Sequence, residues 1–240
     1  MHNHATGLQT ANFTATGTTN GSNIKVGAAV TTTVTTAAGA TTVTGGVNTT
    51  VVGQGAVIVS GADLTTTNVT SATSSAQVDI GSASNSATAI APKLVSATVK
   101  GGSAINIADY DGASSAASSG TLTTATISET GATAVAIAGK AFTNLNVGKQ
   151  TTATAITVTN ATVDHTLNVS LADSGKSGQV VSVIDAAAKT FALTTGGTAS
   201  VARLGDGSTS NAIAKALTIA GAAALTLDVD ATRLTALASI

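Results

Sequence analysis

Val, Ile and Leu recur along this chain in pairs two residues apart. Val57/Val59, Val78/Ile80, Ile105/Ile107, Val135/Ile137 and Leu145/Val147 are such pairs, and Ile156/Val158, Leu167/Val169, Val181/Val183, Leu217/Ile219 and Leu225/Leu227 continue the series. The period is two rather than 3.6, so each pair shares one face of a strand. Thr, Ser, Asn and Ala stand between the pairs. Thr and Val favour extended backbone because branching at Cβ restricts χ1. Gly, Asn, Asp and Ser fill the gaps with turn chemistry.

The spacing of these strands predicts how they stack. Val135, Leu145, Ile156 and Leu167 are separated by 10, 11 and 11 residues, and Val34, Val43, Val51, Val59, Val69 and Val78 step by eight to ten. "TNLNV" (Thr143 to Val147) and "HTLNV" (His165 to Val169) recur 22 residues apart. A strand-sized step that doubles to a longer repeat predicts an all-β parallel β-solenoid, a β-helix with two strands in each short coil. β-Sandwich domains, with a strand every roughly 8–12 residues, are the alternative. "DGASSAASSG" (Asp111 to Gly120) has no large apolar residue. The chain therefore divides into a β-rich segment over 1–111, a linker or loop over 112–120 and a solenoid segment over 121–240. Helix signals are few. "SNAIAKALTIAG" (Ser210 to Gly221) is open to a short helix capped by Ser210 or Asn211, with strand favoured for its second half.

Composition favours a thin core. Of 240 residues, 2% are aromatic and 9% charged, against about 25% charged in ordinary domains. Three Phe, one Tyr and no Trp would struggle to fill a thick two-layer core, whereas stacked layers of Val, Ile, Leu and Ala need no such bulk. The recurrent aliphatic pairs and a net charge of −1 weigh against disorder. Ten scattered Lys and Arg with almost no aromatics lack both footprints of nucleic-acid binding. No apolar run reaches the roughly 18 residues of a membrane span. There is no Cys, hence no disulfide framework. "MHNHATGLQT" carries no apolar signal core, which leaves a cytosolic protein, a removed signal, or export through a C-terminal signal absent here.

Chemistry-bearing residues are sparse. A Ser or Thr nucleophile needs a base, and the three His are His2, His4 and His165. His165 is expected as a surface strand or turn residue, with adjacent Asp164 pointing to the opposite face. Phosphate loops and the G-x-S-x-G elbow are absent. No catalytic or cofactor-binding residue is assigned, and the chain is read as a non-enzyme. Asp109/Asp111 and Asp228/Asp230 are i, i+2 pairs able to set two carboxylates on one side of an extended segment. They are the candidate metal ligands, with Ca²⁺ the candidate cofactor, although solvated turns explain such pairs more simply. Six N-x-[ST] sequons start at Asn12, Asn20, Asn48, Asn68, Asn160 and Asn168, most of them expected by chance among so many Thr. "TTTVTT" (Thr31 to Thr36), "TLTTAT" (Thr121 to Thr126) and "TVT" (Thr157 to Thr159) would form Thr rows like the ice-binding face of antifreeze solenoids if stacked in register. They do not recur at a constant spacing, so ordinary exposed strand faces are expected.

The closing stretch "KALTIAGAAALTLDVDATRLTALASI", with the Thr/Ala/Gly/Val-rich composition and lack of Cys, resembles bacterial surface-layer proteins and related type I-secreted RTX-type adhesins. The last 24 residues match best; the rest agrees in style rather than motif. The resemblance implies an extracellular, cell-surface protein that self-assembles, often with calcium. This chain departs from it in lacking the calcium nonapeptide repeat. The expected function is a structural subunit or fragment of an S-layer, sheath or filament. Its expected partners are identical copies in an oligomer or lattice and cell-surface polysaccharide, with no nucleic acid and no membrane span. A binding module of the adhesin, phage-tail or ice-binding solenoid kind is the alternative. The end at Ile240 is expected to be buried against another copy or further sequence.

Overall fold

The computed structural model describes residues 9–16, 21–71, 76–82, 90–112, 119–160, 162–205, 211, 213–229 and 234–240. Within them the fold is all-β, with twenty strands in two parallel ten-stranded sheets. The strands alternate between the sheets. Sheet A takes β1 (Thr10–Ala15), β3 (Thr31–Thr36), β5 (Asn48–Gly53), β7 (Thr66–Ser71), β9 (Ser96–Lys100), β11 (Thr124–Ser128), β13 (Asn144–Gly148), β15 (His165–Ala172), β17 (Ala188–Gly196) and β19 (Ala216–Gly221). Sheet B takes β2 (Ser22–Lys25), β4 (Thr41–Thr44), β6 (Val57–Ser60), β8 (Gln77–Ile80), β10 (Ala104–Ala108), β12 (Ala134–Ala138), β14 (Thr154–Thr159), β16 (Val181–Asp185), β18 (Ala199–Leu204) and β20 (Ala224–Asp228). Each coil gives one strand to each sheet, the parallel β-solenoid expected from the spacing. All-parallel pairing with strict alternation excludes the antiparallel sandwich. Among the described residues no helix is long and apolar enough to cross a membrane, and Ala216–Gly221 is strand.

The apolar pairs become columns. In sheet A, Val34 stacks on Val51, Val69, Val99, Ile127, Val147 and Leu171 through successive registers. In sheet B, Val43, Val59, Ile80, Ile107, Ile137 and Val158 do the same. Both columns are buried in one continuous core, filled by small layers as the composition predicts. A second inward column of sheet A runs from Ala11 to Thr32, Thr49 and Thr67, and the buried hydroxyls of these three Thr have no hydrogen-bond partner. Such burial costs about 1–3 kcal/mol for each hydroxyl, so the first coils are fitted for size rather than polarity.

Two sequence landmarks resolve in detail. The "TNLNV" and "HTLNV" copies do not pair at their aligned positions, because Leu145 faces Val169 and Val147 faces Leu171. The slip of two residues keeps every side chain on its face, whereas a slip of one would invert them. Across the glycine- and serine-rich stretch, β9 pairs with β11 and β10 with β12 in register. Residues 113–118 of the expected linker lie outside the described residues.

Candidate binding face

In-register stacking also aligns what points outward. On sheet A, Thr10, Thr31, Asn48, Thr66 and Ser96 form one outward column that continues through Thr124, Asn144, Asn168, Ala192 and Thr218. Two residues along each strand, Asn12, Thr33, Thr50, Asn68 and Thr98 form a second, continued by Thr126, Asn146, Ser170, Thr194 and Ala220. Every position except Ala192 and Ala220 is Thr, Asn or Ser, and none is charged. All are exposed or half-buried. A third column starts with Thr14 and Thr35, then admits Val52 and Lys100.

Of the Thr triplets, Thr31 and Thr33 and Thr124 and Thr126 stand in register in these columns, whereas Thr157 and Thr159 are exposed on a strand of sheet B. Successive members of the first column lie between 17 and 30 residues apart. The connections between sheets absorb that variation, while the inward aliphatic columns hold the register. Side-chain contacts run along the face too. Asn168 Nδ2 donates to Asn144 Oδ1 at 3.0 Å, and Asn146 Nδ2 donates to Thr126 Oγ1 at 3.2 Å. The sequons follow from the same pattern, since an i, i+2 Asn and Thr share the outward face. Asn12, Asn48, Asn68 and Asn168 all stand on it, exposed. Asn160 instead donates from Nδ2 to the Phe142 carbonyl at 2.9 Å, and Asn20 lies outside the described residues.

The acidic candidates separate. Asp109 follows β10 and is buried; its Oδ2 accepts the backbone N–H groups of Thr121 at 2.7 Å and Leu122 at 3.0 Å. Asp111 is exposed, so the two do not share a side, because the strand ends at Ala108. Asp228 Oδ2 accepts from Arg203 Nε at 2.6 Å. Asp230 lies outside the described residues. No group of three or more His, Asp or Glu able to hold a metal ion occurs among the described residues. Among the described residues, Asp109 thus serves backbone amides and Asp228 a guanidinium.

His165 is not the surface residue expected. Its side chain is 9% exposed, and Nε2 lies 2.9 Å from Oδ2 of fully buried Asp185. Nδ1 lies 2.8 Å from the Thr162 carbonyl, so it must carry a proton and donate. With both ring nitrogens committed, no lone pair is left to activate a hydroxyl. Adjacent Asp164 does point elsewhere, pairing with Lys189 at 3.5 Å. Asp185 continues the inward Ile/Val column of sheet B, opposite Val158. Burial pushes its carboxyl above the usual carboxylate range, against the opposing pull of His165 and the Ala187 N–H. Asn211, buried, accepts the Asp185 N–H through Oδ1 and donates from Nδ2 to the Val183 carbonyl. The signal for this polar plug is an Asp at the inward end of "VSVID", where the other strands carry Val or Ile. No family model, curated protein or solved structure matches the chain.

Proposed function

We propose that the chain is a structural β-solenoid of the extracellular cell surface, a subunit or fragment that assembles with its own copies into an S-layer, sheath or filament. One observation carries the reading. In the inward column of sheet A, Leu193 is fully buried by the coils on either side, whereas Ile219, next in the same column, is 48% exposed. Each rung is covered by its neighbour, and a further rung, in the same chain or in a second copy, would cover this one. Segment 234–240 already begins such a rung, with Ser239 bridging Ala216 in parallel and accepting the Leu217 N–H at 3.1 Å. Unpaired strand edges are templates for pairing, and head-to-tail contacts of this kind propagate into filaments. A net charge of −1 opposes such approach weakly. The resemblance of Leu217–Ile240 to surface-layer and RTX-type sequences points the same way and suggests calcium as an assembly factor. The committed ring of His165 fits a non-enzymatic role.

The test is light scattering over a concentration series, with negative-stain microscopy, in Ca²⁺ and in chelator. Filaments or sheets are expected. Protein that stays monomeric at high concentration in both conditions overturns the reading.

A further inference from the structure

We infer that the Thr/Asn/Ser face of sheet A adsorbs to ice. The inference goes beyond assembly and rests on the geometry of the two outward columns. Neighbouring strands lie about 4.8 Å apart, and residues i and i+2 about 6.7 Å apart. The columns are therefore a grid of hydroxyls, amides and methyls with two fixed repeats, both close to oxygen repeats of hexagonal ice. The grid is pre-ordered. Thr is stiff at χ1, and Asn144, Asn146 and Asn168 are held by the contacts along the face. No charge in either column imposes a hydration shell of its own.

Other occupants fit less well. Carbohydrate polymers are gripped by aromatic platforms, and the four aromatic residues stand elsewhere: Tyr110, Phe142 and Phe191 are buried, and Phe13 lies in an inward column. A second protein copy needs about 800 Å² on each side. A strip of ten rungs about 45 Å long and two columns wide falls short of that and has no charge to orient a partner. Ice needs neither, because its lattice repeats at every rung.

The experiment is ice-affinity partitioning and thermal hysteresis of the full chain. The Thr33→Lys/Thr50→Lys pair on sheet A is compared with Thr42→Lys/Thr157→Lys, outward on sheet B. The unaltered protein and the sheet B pair should enter ice and shape its crystals, while the sheet A pair loses both behaviours. Should the lysines lower the melting temperature, Thr33→Ala/Thr50→Ala makes the same comparison. No ice activity in the unaltered chain overturns the inference, as does equal loss in both pairs. It is also overturned if the sheet A pair abolishes only self-association, or if the chain binds insoluble polysaccharide but not ice. Filaments without ice activity would sink this inference and leave the proposed function standing.

Discussion

The two outward faces share one backbone, one core and one set of coils, yet carry different chemistry. Sheet A repeats Thr, Asn and Ser along two columns. The middle outward-pointing column of sheet B runs Asn23, Thr42, Ile58, Asp79, Asn106, Ala136, Thr157 and Ile184, of which Asp79 and Ile184 are buried. There Asp79 holds Gln77 at 2.7 Å and Asn106 at 2.6 Å, a local cluster rather than a repeat. In-register stacking therefore cannot by itself account for the regular face, because it acts equally on both. Stacking supplies the spacing of a grid, and only on sheet A does residue choice fill it with one kind of group.

The comparison presumes that one core supports both faces, and that premise can be broken. Leu145 is fully buried under sheet A and Ile137 under sheet B, within one cluster. Leu145→Ala and Ile137→Ala should each cost about 2–5 kcal/mol, read as the urea midpoint, with a single transition in each case. A variant that melts one sheet while leaving the other folded would show two cores and dissolve the comparison.

Legibility follows the same division. Most inward positions declared themselves, because burial favours an aliphatic at every second residue, and Thr32, Thr49 and Thr67 are inward exceptions. Val34 through Val78 read as alternating rungs, and the structure sets each of them inside. The outward grid did not, because regular spacing in the sequence is the wrong criterion for coils whose connections vary in length. Register is fixed by what is buried, and the Thr rows inherit it. Asp109 and Asp111 misled for a related reason, since the i, i+2 rule holds only while the strand continues, and β10 stops at Ala108. His165 and Asp185 stand 20 residues apart in different sheets; only the coil geometry brings them together.

Their pairing puts a pH-sensitive contact between the sheets. Asp185 binds its proton more readily in the folded chain than in the unfolded one, because burial disfavours the charged form. Stability from this group is therefore greatest at low pH. It declines as pH rises from the ordinary carboxylate range through the raised value, then levels off. Asp185→Asn keeps an oxygen for the Ala187 N–H and places an amide beside His165 Nε2. Urea midpoints across that window should fall for the unaltered chain relative to the variant. The Lys189–Asp164 pair beside His165 is present in both proteins and cancels in the difference. Parallel curves would remove Asp185 as the cause and leave the two sheets joined by packing alone.

The smallest expected effect sits at the corners where the chain leaves each sheet. Three sheet A strands end at residues with side chains in the left-handed region, Glu129, Lys149 and Asp173, each at φ 51°. They follow Ser128, Gly148 and Ala172, which are in register, so the strained corners stack. Three sheet B strands end instead at Gly45, Gly81 and Gly205, where a Cβ at Gly45 or Gly81 would fall within 2.4 Å of a backbone oxygen. The corners after β11, β13 and β15 thus tolerate a side chain, at about 1–2 kcal/mol for each left-handed residue, whereas those after β9 and β17 are the glycines Gly101 and Gly197. Lys149 is the cleanest probe. Its side chain is 71% exposed and its contact with Glu129 is 3.8 Å, a surface pair worth little. Lys149→Gly removes the strain and gives back about 0.5–1 kcal/mol through the freer unfolded chain. A net gain of about 0.5–1 kcal/mol should appear as a raised urea midpoint. Lys149→Ala keeps the Cβ and should gain nothing, so equal gains in both variants would place the effect in the lost charge rather than in the corner.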